Sequence, residues 1–140
     1  MKADSRSPPL AVAAMVSSAL IGEYSLLIMP FILTAMMEIH GISEIIAGRL
    51  ISAQLFAMAL ASVVVTRVVA RIPRRILATV ATLTIILANS LCMLGYSLTS
   101  LVIGRIGTGL GEGTLMAVAG AVIAASAAPH RIFSLVGLVV

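Results

Sequence analysis

Four ionisable side chains lie inside long apolar runs of this chain: Glu23, Arg49, Arg105 and Glu112. A charge at the centre of a membrane helix costs about 2.5–3.5 kcal/mol on the insertion scale. Residues kept there line solute or ion paths, relay protons, or lock helices together as ion pairs. Two of the four are acidic and two basic, so mutual compensation is open to them. Glu23 and Glu112 fall near the middles of their runs, Arg49 and Arg105 near the ends. Arg105, Gly109 and Glu112 stand at i, i+4 and i+7 and share one helical face, with about 10 Å between the charged positions. The nine Leu, Ile and Val residues between 101 and 125 favour insertion by about 3–5 kcal/mol, and the two charges oppose it by a similar amount. Arg105 has the outer interface within reach. This run therefore needs partner helices or a watery cavity.

Other reactive residues are sparse. Gln54, Asn89, Ser90 and Tyr24 either line a path or hydrogen-bond between helices. His40 and His130 sit at helix ends, with no second His or Cys at ligand spacing, so no metal site is expected. The single cysteine, Cys92, excludes a disulfide framework. The Gly107-Thr108-Gly109-Leu110-Gly111 run lacks the preceding strand and downstream acid of a nucleotide loop. No nucleophile, base and orienting group occur together, so neither an enzyme nor a cofactor is expected.

The elements that must position these residues follow from composition. Of 140 residues, 61% are hydrophobic and 10% charged, with a mean hydropathy of +1.19. A soluble fold of this size exposes too much surface to hide that apolar content. The expected fold class is all-α, a polytopic transmembrane helix bundle. Spans are expected over about 10–37, 45–65, 76–98 and 101–125, each compatible with the roughly 20 residues a crossing needs. A fifth starts at about 132, and its nine residues to Val140 would rise about 14 Å. The chain is thus expected to be the N-terminal piece of a longer protein. The first run is about twice the length of a signal-peptide core and contains Glu23 and Pro30, so it is expected to stay uncleaved, with Pro30 either kinking it or accommodated.

Basic residues orient the spans. Lys2, Arg6, Arg67, Arg71, Arg74, Arg75 and Arg131 all flank ends on one side, whereas the connections at 38–44 and 96–100 contain no Lys or Arg. The positive-inside rule makes that side cytoplasmic, with the N-terminus inside. The Arg67–Arg75 cluster serves as an anchor or as a gating loop. Although net charge is +4 and the pI about 10.2, these residues lie against the bilayer, and no nucleic-acid partner is expected. Small residues at Gly107 and Gly111, at Gly109 and Gly113, and at Ala53, Ala57 and Ala61 permit close helix approach.

The fourth span, with Leu101, Arg105, Gly109, Gly111 and Gly113, resembles the fourth-helix motif of the major facilitator superfamily of secondary transporters. The connection Arg71-Ile72-Pro73-Arg74-Arg75 is similar to the basic end of that family's signature between helices two and three. It departs from the signature at Ala70, where the family usually has Asp, and at Thr66 and Pro73, where it has Gly. The resemblance implies a twelve-helix fold in two six-helix halves, of which this chain supplies helices one to four and the start of the fifth. It further implies that helices one and four line a central path, with Glu23, Glu112 and Arg105 as candidates for solute binding or proton coupling. A secondary active transporter of a small solute in the bacterial cytoplasmic (inner) membrane is expected, proton-coupled and working by alternating access. Its partners would be the lipid bilayer, the solute, H+ and the remaining helices. Two alternatives stay open: a four-helix dimeric exporter of the small multidrug type, which also uses a first-helix glutamate, and a non-transporting membrane accessory subunit.

Overall fold

A computed structural model describes residues 27–95 and 97–126, with isolated positions at 17, 20, 130 and 134. Among these, four helices follow in order: α1 (Met29–His40), α2 (Glu44–Val68), α3 (Arg74–Leu94) and α4 (Leu98–Ala124). The last three are each long and apolar enough to cross a membrane. Most of the first expected span, including Glu23 and Tyr24, and nearly all of the fifth lie outside the described residues.

Local chemistry sets the helix ends. Pro30 stands in the first turn of α1, where its missing N–H costs no helical hydrogen bond. Gly41 closes α1 with a φ of 62° and donates its N–H to the Met37 carbonyl, a left-handed turn that residues with a Cβ rarely adopt. Ser43 and Ser97 begin α2 and α4 from extended backbone, each side-chain oxygen accepting an N–H three residues on, which satisfies one of the free donors of a first turn. Arg74 and Arg75 open α3 with no acid in the first turn. Two cations at that end oppose the helix dipole, so helix stability does not account for them.

Contacts give the topology. Gln54 of α2 meets Arg105 and Glu112 of α4, and Ser62 meets Gly113, so α2 and α4 run parallel. Going along α3 from Cys92 to Ala88 to Ala81 the α4 partners are Gly104, Gly107 and Gly111, so α3 runs the opposite way. Helix α4 lies between α2 and α3, which do not touch each other. Half of its apolar window is buried, against 22% for α2 and 11% for α3. At the end of the bundle holding the α1–α2 and α3–α4 connections, Met36, Leu50 and Leu101 form an apolar cluster, with Ile32, Ile46 and Cys92 packed against it.

Glycine explains how α4 fits between two neighbours. A Cβ at Gly109 would run into the Gln54 carbonyl, and one at Gly113 into the Met58 carbonyl, both of α2. On the other side a Cβ at Gly104 would lie 2.8 Å from the Ala88 carbonyl, and one at Gly111 2.9 Å from the Ala81 carbonyl. The glycines therefore divide between two partners, and buried Ala57 and Ala61 on α2, and Ala81 and Ala88 on α3, complete the close approaches. Outward faces are apolar, with Phe56, Leu60, Leu83, Leu87, Ile103 and Leu110 all exposed.

Candidate functional site

A polar triad crosses the α2–α4 seam. Gln54, Arg105 and Glu112 are only 0%, 5% and 2% exposed. The Arg105 guanidinium donates to Gln54 Oε1, and Gln54 Nε2 donates to Glu112 Oε2 at 2.9 Å. The amide suits this place chemically. Arginine only donates and an ionised carboxylate only accepts, whereas a primary amide offers one of each at the same end. The orientation of the amide is thereby determined: its oxygen must face Arg105. The gap of about 10 Å between two charged positions seven residues apart is filled by one side chain from the next helix.

One sequence expectation changes here. Arg105 does not reach out to the interface, because the Gln54 amide holds it inside the bundle, where leaving that oxygen without a donor would cost about 1–3 kcal/mol. Arg49 is exposed on α2, about 140° around the helix from Gln54, and stands outside the triad. Glu23 lies outside the described residues.

Of the remaining motif positions, Leu101, Gly109, Gly111 and Gly113 are buried, the first in the apolar cluster and the glycines at the helix seams. Arg67 is exposed in the last turn of α2, Arg71 in the connection that follows, and Arg74 and Arg75 in the first turn of α3. Ser62 is a residue whose role the sequence did not show. Its hydroxyl lies 2.9 Å from the Met58 carbonyl and 3.0 Å from the Gly113 carbonyl, so one proton is shared between its own helix and α4. Gln54 carried a usable signal. Leu50, Gln54, Ala57 and Ala61 follow the helical period along one stripe, and all four are buried.

Beside the triad lies a cavity of about 270 Å³ between α1, α3 and α4. Its wall is mostly apolar, from residues such as Ile32, Met36 and Met93, with His40, Asn89, Cys92 and Arg105 as its polar groups. Asn89 donates to the Ile85 carbonyl of its own helix at 2.9 Å. Arg105 thus touches both the seam and the cavity.

The family model described as Major Facilitator Superfamily matches residues 10–139 of the 140. The chain belongs to this superfamily. No curated protein and no solved structure shows a significant match. Members of the major facilitator superfamily are multi-pass membrane transporters rather than enzymes, so the bilayer and a transported solute are this protein's partners. In this major facilitator chain the Arg105–Gly109–Glu112 face of α4 is the seam with α2, and Gly111 turns to α3. The family match also removes the ground for a four-helix exporter of the small multidrug type.

Proposed function

We propose that the protein is a secondary active transporter that moves a small solute across the bacterial cytoplasmic membrane by alternating access, coupled to protons. The N-terminus is on the cytoplasmic side, as the clustering of Arg67, Arg71, Arg74 and Arg75 in one connection supports. The observation that carries the coupling is Glu112, a carboxylate 2% exposed within a helix long and apolar enough to cross a membrane. Ionisable groups in that setting are held at a cost and mark proton relays and solute paths. Glu23, in the first apolar run, is a second candidate on the same grounds.

The triad supplies a way for a proton to be felt. Hydrogen bonds to an ionised group are roughly twice as strong as those between neutral groups. A proton on Glu112 weakens its tie to Gln54 and leaves the Arg105 charge without a counter-charge along this face. The tight Gly109 and Gly113 contacts keep α2 and α4 together through that change, so its effect falls on Arg105 and the cavity it lines.

The test is accumulation of a transported solute in vesicles under an imposed pH gradient, with the full-length protein. Glu112→Gln should lose gradient-driven accumulation and keep gradient-free exchange. Equal gradient-driven accumulation in this variant would remove Glu112 from the coupling. Glu23→Gln is read in the same way.

A further inference from the structure

We infer that the cavity between α1, α3 and α4 binds a small organic acid, with its carboxylate on Arg105 and its apolar body against α1. The inference extends the reading of this chain as a solute transporter and names the substrate class.

Three observations meet at one place. Arg105 is 5% exposed, lines the cavity and spends one of its guanidinium donors on Gln54, while its Nε, itself shut off from solvent, meets no acceptor among the described residues. A buried donor left unmade is costly, and a guanidinium N–H takes a carboxylate or phosphate oxygen best, because both partners are charged. The second observation is the wall that Arg105 lines: Ile32, Met36 and Met93 make most of it apolar, and Asn89 adds an amide. An inorganic anion would leave that apolar surface unused, while a purely apolar guest would leave the Arg105 charge on that wall without a partner. The third is size. An apolar cavity of about 150 Å³ accommodates benzene, so 270 Å³ admits a ring or short chain carrying one carboxylate.

The triad gives the anion a reason to travel with a proton. With Glu112 ionised, the face carries one positive and one negative charge. With Glu112 protonated, Arg105 is left in excess, and an anion restores the balance in a medium where an uncompensated charge is expensive. Acid and proton then cross together as a neutral pair.

Cys92 reports on occupancy, since it lines the same cavity and is the only cysteine in these 140 residues. The experiment measures the rate of Cys92 alkylation by N-ethylmaleimide in the detergent-solubilised full-length protein, read by mass spectrometry of the Cys92 peptide. No gradient is applied. At ten times its dissociation constant benzoate should slow alkylation by about tenfold, because only the unoccupied fraction reacts. Benzyl alcohol, a neutral molecule of nearly the same shape, should protect far less.

Arg105→Lys keeps the charge but loses the planar donor fork of the guanidinium, and should weaken protection by benzoate. Ala35→Phe, which fills the cavity from α1 and leaves the three triad side chains themselves unchanged, should abolish it even if Arg105 variants fail to fold. Equal protection by benzoate and benzyl alcohol, or none by either, overturns the proposal. Protection by phosphatidylglycerol but not by benzoate overturns it as well, and assigns the cavity to a lipid phosphate. Failure here with Glu112→Gln still uncoupled would sink the acid and leave proton coupling standing. The converse would spare the site and sink the coupling.

Discussion

Gln54 Nε2 donates to Glu112 Oε2 at 2.9 Å across the seam between α2 and α4, and the same amide accepts from Arg105. A neutral side chain therefore mediates between two charges of a neighbouring helix. Polar bonds between membrane helices average well under 1 kcal/mol when the unfolded helices can find other partners. Here the comparison is less forgiving, because removing the amide takes a partner from two buried charged groups at once.

Gln54→Leu should destabilise the protein by about 3–5 kcal/mol, the range for breaking a buried charged network by removing one partner. The check is unfolding in a detergent titration followed by circular dichroism. A loss below about 0.5 kcal/mol, within the usual scatter for surface changes, would mean the triad carries little of the α2–α4 association.

The glycines of α4 should sort by what faces them. Gly109→Ala and Gly113→Ala push a methyl into α2 backbone and should each cost about 2 kcal/mol or more, as overpacking does. At Gly120 a Cβ meets nothing within 4 Å, and Gly120→Ala should be neutral or stabilising by up to about 1 kcal/mol. Thermal unfolding of the three variants in one detergent separates them. Equal effects would refute the seam geometry.

Ser62 and Thr82 offer a matched pair of hydroxyls. Thr82 bonds only the Ala78 carbonyl of its own helix, whereas Ser62 also reaches the Gly113 carbonyl of α4. Ser62→Ala should cost about 0.6 kcal/mol, the mean for such bonds between membrane helices. Thr82→Ala should cost nothing measurable. A double-mutant comparison with Gly113→Ala should show coupling for Ser62 alone.

Arg74 and Arg75 are exposed at the start of α3. Replacing both by Glu should favour the helix itself by about 0.3–1 kcal/mol per residue through the dipole. On the proposed orientation it should nevertheless disturb topology, because the positive-inside rule makes this connection's charges its cytoplasmic anchor. Reporter fusions after residue 97, in the α3–α4 connection that lies on the opposite side, should shift toward the cytoplasmic side in the double variant. Unchanged fusions would place the orienting signal in Lys2, Arg6, Arg67 or Arg71.

Much of this was legible in the chain alone. The apolar content and the spacing of its interruptions demand membrane helices, because insertion energy is a sum over local residues. The helical period puts Arg105, Gly109 and Glu112 on one face for the same reason, since i, i+4 and i+7 coincide in any α-helix. The glycines of α4 announce close neighbours without naming them.

Which neighbours they are depends on packing register, and that is where the tertiary structure decides. Gln54 finds its partners 51 and 58 residues away, a pairing set by how far α2 slides along α4. Gly109 turns to α2 and Gly111 to α3 because a helix wedged between two others must be narrow on both sides. Arg105 stays inside because the amide and the cavity meet it there. None of these follows from a local sum, since each depends on two helices whose relative position no short stretch of sequence encodes.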